Sequence, residues 1–329
     1  MNFNNEIKDL KCPTNLPISG ILPPVKRIIV IGDVHGDILQ FKKTLIMAKL
    51  IDNNDNWVGG ETVLVQLGDL IDSCRGTDCL IESEEDEGAD LELLKYLIEL
   101  NEKAMKEDGA VYSIVGNHEI MNVQGNFNYV SPKNFDSFLN LFKDKTNITP
   151  YQARKEAFKP GNPIANFLAC SKLGVLIIGS NLFVHGGMVP EISKEYSPER
   201  INEILRLWLQ DKFTDKEEYE KILFSSDYSP FWVRILGKLK SNLPKNNEEC
   251  IQHVNPILEH WNVDSIHVGH SPQFIQKLGV NQTCNNSVWR HDIGMSHTFS
   301  NYDKGGERGT VRQAHVLEIL NDDQFNIIR

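Results

Sequence analysis

The side chains best suited to chemistry stand in five short motifs, each directly after a short apolar run. The motifs are Gly32-Asp33-Val34-His35-Gly36, Gly68-Asp69-Leu70-Ile71-Asp72, Gly116-Asn117-His118-Glu119, His185-Gly186-Gly187 and Gly269-His270. They offer carboxylates, imidazoles and an amide, which are oxygen and nitrogen donors that Mn, Fe and Zn all accept. No thiolate belongs to the set, which disfavours a structural zinc site. The motifs therefore predict a site for divalent metal ions.

Two such ions would be held by six side chains. The candidate ligands are Asp33, His35, Asp69, Asn117, His185 and His270. Two ions need one ligand that bridges them, and a carboxylate has two oxygens for this purpose, so we assign the bridge to Asp69. Two divalent ions lower the pKa of a shared water, orient it and neutralise charge on phosphoryl oxygens. The predicted chemistry is therefore phosphoester hydrolysis.

The elements that must position these motifs are five short strands. The apolar runs at 27–31, 62–67, 111–115, 181–184 and 265–268 are rich in Val, Ile or Leu and have the length of buried strands. Glycine follows the run in four of the five cases and lets the backbone turn sharply. Each strand therefore delivers a polar cluster at its end.

The five motifs, in this order, resemble those of the phosphoprotein phosphatase (PPP) branch of the calcineurin-like metallophosphoesterases, over about residues 27–300. The resemblance implies an α/β fold of four layers, αββα, with the site in loops at the strand ends. It implies that one ion is held by Asp33, His35 and Asp69, and the second by Asp69, Asn117, His185 and His270. It also implies that His118 is the general acid and that Asp72 orients it.

Within that branch the chain resembles the Shewanella-like phosphatases. The likeness lies in three segments, Ser229–Arg234, Gly269–Gln273 and Trp289–Ser296. The family usually runs Gly-Asp-x-x-Asp-Arg-Gly, whereas here two residues separate Asp72 from Arg75.

Guanidinium groups present paired donors that match two phosphate oxygens, so Arg75 and Arg234 are the expected phosphate clamps. Asn117 is expected at the substrate phosphate as well as at the metal. We expect phosphomonoester hydrolysis by direct attack of a hydroxide that bridges the two metals. Manganese is favoured, and iron or zinc would also fit.

The expected substrate is a phosphoprotein or phosphopeptide, with phosphotyrosine slightly favoured over phosphoserine and phosphothreonine because part of the Shewanella-like group prefers it. One alternative is a hydrolase of dinucleoside polyphosphates or of another small phosphoester on the same fold. A third reading is a catalytically silent binding module. The intact set of motif residues argues against that reading, because a dead relative would normally have lost at least one of them.

Length and composition limit the domain organisation of the chain. At 329 residues with 40% hydrophobic content, the chain can bury a large core. We expect an extended N-terminal arm at 1–24 and a single metallophosphoesterase domain at 25–329, with a helical insertion at about 120–168 that either shapes substrate entry or covers the sheet. Helical spacing occurs there from Phe135 to Phe142 and from Tyr151 to Phe158.

The charge and the apolar pattern bear on partners and location. The net charge of −11 disfavours a nucleic-acid partner, because such proteins carry a basic face. No stretch reaches the roughly 18 apolar residues of a membrane span, and Met1 to Leu10 lacks an apolar targeting core. We expect a cytoplasmic protein with no membrane partner. The sequence carries no signal for an oligomeric state.

The cysteines bear on the redox state of the protein, and one acidic run bears on the charge around the site. The six cysteines have no Cys-x-x-Cys spacing and are expected as reduced thiols. A bond between Cys74 and Cys79 would close the loop that carries Arg75, but two thiols are the preferred expectation. The run Glu82–Asp90 has six acidic residues in nine, and we expect a solvated loop there. At the mouth of the site it would favour basic sequences around a phosphoresidue.

Overall fold

The computed structural model describes residues 10–76, 79, 86–142, 147–303 and 312–329. These residues form two β-sheets with helices around them, which is the arrangement that the resemblance implies. The strands are β1 (Ile21–Leu22), β2 (Arg27–Ile31), β3 (Val63–Gln66), β4 (Ala110–Ser113), β5 (Val175–Ile178), β6 (Asn181–Val184), β7 (Ser265–Val268), β8 (Asn281–Thr283), β9 (Val288–Arg290), β10 (Val316–Leu320) and β11 (Gln324–Ile328).

The helices of the described residues lie between and after these strands. They are α1 (Ile38–Met47), α2 (Asp90–Ala104), α3 (Asn117–Val123), α4 (Pro132–Asp136), α5 (Pro150–Phe158), α6 (Pro163–Ser171), α7 (Pro190–Glu195), α8 (Pro198–Leu209), α9 (Lys216–Phe224), α10 (Ile235–Lys238), α11 (Glu248–His253) and α12 (Asn255–Trp261). Short 3₁₀ turns occur at 105–107, 139–142, 274–276 and 297–302.

The two sheets place parallel strands at their centres. One has the order β11-β10-β2-β3-β4, in which β2, β3 and β4 run parallel. The other has the order β1-β5-β6-β7-β9-β8, in which β6, β7 and β9 run parallel. Residues Ile28 to Ile31 of β2 are fully buried, as expected of a parallel strand covered on both faces. In each sheet, therefore, three parallel strands end at the same edge.

Helices occupy the stretch between β4 and β5. The helix α5 begins after Thr149, whose hydroxyl accepts the backbone N–H of Gln152 while the Gln152 side chain accepts the N–H of Thr149. This reciprocal pair is a capping box, which fixes where a helix starts. The apolar spacing at 151–158 thus lies on a helix, and that at 135–142 divides between α4 and a 3₁₀ turn.

The N-terminal segment is tied to the fold at two points. Its residues Ile21 and Leu22 pair in parallel with Ile177 and Ile178 of β5. Before that pairing, Cys12 forms a disulfide with Cys170 at the end of α6. The described part of the arm is therefore an edge strand and a covalent anchor.

The expectation of reduced thiols is wrong. All six cysteines are paired, as Cys12–Cys170, Cys74–Cys79 and Cys250–Cys284. The partners of two pairs are far apart in sequence, so spacing carried no sign of them. Because the cytoplasmic expectation rested partly on reduced thiols, it loses that support.

The acidic run is only partly within the described residues, since 82–85 lie outside them. The expectation of a solvated loop is wrong for two of the others. Asp86 is 5% exposed and Asp90 is fully buried, where Asp90 begins α2 and pairs with Arg154. Among the described residues, no helix is both long and apolar enough to cross a bilayer.

We expect the Cys12–Cys170 disulfide to be the largest covalent contribution to stability. It joins residues 158 positions apart, whereas Cys74–Cys79 joins residues 5 apart, and longer closed loops restrict the unfolded chain more. Replacing both Cys12 and Cys170 by serine should lower the free energy of unfolding by about 2–5 kcal/mol. Urea unfolding without reductant measures it. An equal loss on replacing Cys74 and Cys79 would contradict the argument.

Candidate functional site

The five motifs meet because of the strand directions. Those after β2, β3 and β4 leave one edge of the first sheet, and those after β6 and β7 leave an edge of the second. They line a cleft of about 400 Å³. The residues around it are Asp33, His35, Asp69, Arg75, Asn117, His118, Met121, Asn126, Asn128, Tyr129, Trp232, Arg234, His270, Pro272, Asp292 and Phe299.

Two glycines allow this convergence because a carboxylate lies against each. A Cβ on Gly116 would be 2.1 Å from Asp69 Oδ1, and one on Gly269 would be 2.3 Å from Asp33 Oδ1. The same carboxylates accept backbone hydrogen bonds: Asp69 Oδ1 from the N–H of His118 at 2.9 Å, and both Asp33 oxygens from that of His270 at 3.0–3.1 Å. Each acid is thus held by the backbone of another motif.

Four candidate site residues have left-handed backbone conformations. They are His35 (φ 46°), Asp69 (φ 48°), Asp72 (φ 75°) and His270 (φ 62°). Non-glycine residues rarely adopt positive φ, and where they do the conformation is often part of a functional site. The backbone is therefore bent to aim these side chains into the cleft.

Asp69 lies at the centre of two groups of potential ligand atoms. His35, Asp69 and His118 form one group, and Asp69, His185 and His270 form the other; within each, the atoms lie within 4.8 Å of one another. The Asp69 Oδ1 oxygen is 3.3 Å from His185 Nε2, and Oδ2 is 3.8 Å from His35 Nε2. Its two oxygens thus face different imidazoles, which is the arrangement required of a bridging carboxylate.

The remaining candidate ligands stand beside these groups. Asn117 Oδ1 is 3.0 Å from His185 Nε2. Asp33 Oδ2 is 3.9 Å from His35 Nε2. All six candidate ligands are therefore brought together, and their oxygen and nitrogen donors fit divalent metal ions.

Backbone carbonyls orient the candidate imidazole ligands. His185 Nδ1 lies 2.7 Å from the carbonyl oxygen of Leu67, and His270 Nε2 lies 3.0 Å from that of Trp232. A ring nitrogen that donates to a carbonyl leaves the other nitrogen free as a lone-pair donor, the usual outer contact of a metal-binding histidine. Burial lowers the pKa of His270 well below its ordinary value, which favours the neutral imidazole that binds a metal.

Three carboxylates face the cleft, and their charges oppose one another. Asp33 and Asp69 are 2% exposed and Asp292 is 1% exposed. Burial, then the charges of Asp292 and Asp69, raise the pKa of Asp33 well above its ordinary value. Burial also raises the pKa of Asp292, to about 6. A buried cluster of like charges is stable in ionised form only beside cations, so this charge distribution also fits bound metal ions.

Asp69 behaves differently from its two neighbours. Burial by itself raises its pKa, but the facing imidazoles of His185 and His118 outweigh burial and hold the pKa well below the ordinary value. In turn, Asp69 outweighs burial at His185 and raises the pKa of that imidazole. Asp69 is therefore the carboxylate that stays ionised at the centre of the site.

His118 is held by a carboxylate on the side away from the cleft. Its Nδ1 is 2.8 Å from Asp72 Oδ2, and its Nε2 is 3.8 Å from Asp69 Oδ2. Asp72 is fully buried, and as the acceptor of this hydrogen bond it selects the tautomer with a proton on Nδ1. His118 therefore presents Nε2 to the cleft, in the orientation that proton transfer requires.

The two candidate phosphate clamps reach the cleft in different ways. The Arg75 guanidinium lies between the rings of Tyr129 and Phe299, 5.0 and 4.9 Å from their centres, and donates to the carbonyl oxygen of Cys74 at 2.7 Å. The two extra residues before Arg75 therefore do not carry it out of the site. Arg234 is exposed, and it donates to the carbonyl oxygen of His270.

Sequence reasoning gave no role to Asp292 and Glu119. Asp292 comes two residues after β9, which is the pattern that identified the other motifs, but its short strand gave a weak signal. Glu119 accepts backbone hydrogen bonds from Gly116, Asp69 and Leu70, at 2.7, 3.1 and 2.8 Å. It thereby fixes the loop after β3 against the start of α3.

Several known proteins are similar to this chain. The family model of the calcineurin-like phosphoesterases matches residues 26–274. Shewanella-like protein phosphatase 2 of Arabidopsis thaliana is 30% identical over 335 aligned residues, covering 92% of this chain and 77% of that protein. Shewanella-like protein phosphatase 1 of Plasmodium berghei is 31% identical over 279 residues, covering 84% and 68%. An uncharacterized protein of Acanthamoeba polyphaga mimivirus, R398, is 37% identical over 247 residues, covering 70% and 96%.

Solved structures show the same fold. A cold-active protein tyrosine phosphatase superposes with a TM-score of 0.68 at 24% identity, covering 98% of this chain and 82% of that one. A serine/threonine phosphatase of Saccharomyces cerevisiae gives a TM-score of 0.51 at 12% identity, covering 98% and 85%. At these identities the likeness is one of fold, and it confirms the four-layer fold class.

We expect Asp292→Asn to stabilise the metal-free protein at neutral pH. Burial raises the pKa of Asp292 to about 6, from 3.8, so the ionised carboxylate destabilises the folded state, and metal-free stability falls as pH rises through this window. The gain in the free energy of unfolding near neutral pH should be about 1–3 kcal/mol. It should shrink toward zero as the pH approaches 3.8.

Urea unfolding of chelator-treated wild type and variant, near neutral pH and in acid, measures this effect. With metal bound, the order should reverse, because an ion loses a neighbouring negative charge. A metal-free variant no more stable than wild type at neutral pH would contradict the charge argument.

Proposed function

We propose that this chain, which belongs to the calcineurin-like phosphoesterase family and to its phosphoprotein phosphatase branch, hydrolyses phosphomonoesters of proteins with the help of two divalent metal ions. The family's chemistry makes it a metal-dependent phosphoesterase. The observation that carries the finer proposal is the position of Asp69, shared by both groups of ligand atoms and next to the His118–Asp72 pair. One cleft would thus hold both the metal ions and the proton donor.

The proposed metal ligands divide around Asp69. Asp33, His35 and Asp69 would hold one ion, and Asp69 with Asn117, His185 and His270 would hold the second. Two bound divalent ions supply an activated water and neutralise charge on the phosphoryl oxygens. We propose manganese, with iron or zinc as other occupants, because all three accept oxygen and imidazole donors.

The proposed general acid is His118. Asp72 accepts from Nδ1 at 2.8 Å, so Nε2 is the ring nitrogen that would carry the proton to be donated. That proton would pass to the leaving oxygen of the phosphoester as the P–O bond breaks. An alkoxide needs the proton more than a phenoxide, because the alkoxide is the stronger base.

Arg75, Arg234 and Asn117 are the proposed contacts to the substrate phosphate. Arg75 is stacked between Tyr129 and Phe299, so its guanidinium plane is fixed before substrate binds. A fixed fork of donors loses little conformational freedom on binding two phosphate oxygens. Arg234 is exposed at the cleft and would close on the phosphate from the other side.

We propose phosphotyrosine as the slightly preferred residue, with phosphoserine and phosphothreonine as further substrates. The rings of Tyr129, Trp232 and Phe299 line the cleft and could contact an aromatic leaving group by edge or face. The structural relatives include a protein tyrosine phosphatase and a serine/threonine phosphatase. Both activities therefore occur on this fold.

We expect purified protein, stripped of metal and reloaded with manganese, to release phosphate from phosphotyrosine peptides faster than from matched phosphoserine and phosphothreonine peptides. A malachite-green assay measures release, and Asp69→Asn serves as the blank because it removes the proposed bridge. Diadenosine tetraphosphate belongs in the same panel. Its cleavage without peptide hydrolysis would replace the protein substrate by a small phosphoester, and no turnover on any substrate would contradict the proposal.

We expect His118→Asn to retain its metal while losing activity unevenly. Turnover of a phosphoserine peptide should fall by about 100- to 10,000-fold, and that of an aryl phosphate by less, because a phenoxide can leave without a proton. Metal content by mass spectrometry and steady-state kinetics on both substrates test this. Equal activity of variant and wild type on both would remove His118 from the mechanism.

A further inference from the structure

One buried arginine outside the five motifs lies directly behind the proposed acid. Arg154 is on α5 and is fully buried. Its Nη2 lies 2.8 Å from Asp90 Oδ2 and 3.2 Å from Asp72 Oδ1. Its Nε donates to Asn122 Oδ1 at 2.8 Å and its Nη1 to the carbonyl oxygen of Asn134 at 3.1 Å. Every nitrogen of the guanidinium therefore has an acceptor.

These contacts surround the Asp72 carboxylate on the side away from His118. Asn122 Nδ2 lies 2.9 and 3.0 Å from the two Asp72 oxygens, and it also donates to the carbonyl oxygen of His118 at 2.9 Å. Asp72 thus accepts from His118, Asn122 and Arg154 at once. A carboxylate with donors on both oxygens cannot rotate without breaking a charge-assisted hydrogen bond.

The charges in this cluster also favour a specific role for Arg154. Asp72 and Asp90 are both fully buried, and Asp90 Oδ1 accepts the backbone N–H of Asp72 at 3.1 Å. Burial, together with the Asp72 charge and in spite of Arg154, raises the pKa of Asp90 to about 7. Arg154 is thus a positive charge between two buried acids, and without it Asp72 would be a buried carboxylate beside a second acid with no arginine to offset it.

Two aromatic rings keep the guanidinium in place. The Arg154 Cζ atom is 4.8 Å from the ring centre of Phe138 and 5.1 Å from that of Phe158. Stacking between two rings restricts the plane of the guanidinium and excludes water from it. The residues that fix Arg154 belong to the helical stretch after α3, whereas Asp72 belongs to the loop after β3.

We propose that Arg154 is a positioning residue of the reaction: it holds the Asp72 carboxylate in the rotamer that accepts from His118 Nδ1. Without it, Asp72 loses a charged donor to Oδ1 and can turn away from His118. The hydrogen bond that keeps His118 ready to donate from Nε2 is then lost. Of the two expectations for the helical stretch, shaping the entry or covering the sheet, neither describes this contact; the stretch supports the acid from behind. The inference rests on the proposed function, since it requires His118 to act as the acid.

The test uses Arg154→Met, which keeps the length of the side chain and removes its charge and donors. With manganese-loaded protein, kcat on phenyl phosphate should fall by about tenfold to a hundredfold, and kcat on 4-nitrophenyl phosphate by less than about threefold, because the nitrophenoxide leaves without a proton. KM and metal content should stay at the wild-type values. A double variant with His118→Asn should be no slower than His118→Asn alone, since residues that act through one group are not additive.

Two further variants separate this role from a structural one. Leu168→Ala, in the buried core of α6, should lower the melting temperature without changing the ratio of the two kcat values. If Arg154→Met does not fold, Arg154→Lys retains a charge between the carboxylates but cannot reach all four acceptors. It should show the same substrate bias in weaker form.

The outcomes distinguish a failure of the Arg154 proposal from a failure of the proposed phosphatase function. Equal losses on both aryl phosphates, or additive losses in the double variant, would overturn the role of Arg154 while the phosphatase proposal stands. Wild-type protein that hydrolyses neither aryl phosphate after loading with manganese would overturn the proposed function itself.

Discussion

Three buried carboxylates share one cleft, and the repulsion among Asp33, Asp69 and Asp292 is the constraint around which the rest of the site is arranged. Each carboxylate accepts a backbone N–H from another part of the chain or from its own turn: His270 for Asp33, His118 for Asp69, and Gly294 for Asp292. Such bonds offset part of the burial penalty. The remainder requires positive charge, which Arg75 and Arg234 at the cleft supply in part and bound metal ions would supply in full.

This arrangement depends on close backbone contact between strand ends. Gly116 and Gly269 lie so near to carboxylate oxygens that a methyl group at either position would overlap an acid. The glycines of the motifs therefore allow two motifs to come into close contact, in addition to allowing the backbone to turn. It follows that ligand geometry and sheet geometry cannot vary independently: a shift of one strand end would carry its acid away from the donor of the next motif.

The sequence was sufficient to predict the strands that carry the motifs and the side chains that meet in the cleft, because each polar cluster directly follows an apolar run and the signal is local. It was insufficient wherever function depends on a contact between distant segments. Arg154 stands in no motif, and its importance appears only once Asp72 and Asp90 are seen on either side of it. The expectations of reduced cysteines and of a solvated acidic loop were wrong for the same reason. Spacing and composition describe neighbours in sequence, and the disulfides and the burial of Asp86 and Asp90 depend on neighbours in space.

The sheet order has a consequence for how the chain acquires its active form. Strand β2, which carries the Asp33 motif, lies between β3 and β10, and Ile28 pairs with Ile319 in that register. Contacts between such distant segments close large loops and slow the search for the native topology. During synthesis, Asp33 is made early, yet its strand gains its second neighbour only after residue 320 has emerged. The strand that carries Asp33 is therefore completed late, and chains stalled before β10 would expose an unpaired hydrophobic strand edge that favours aggregation.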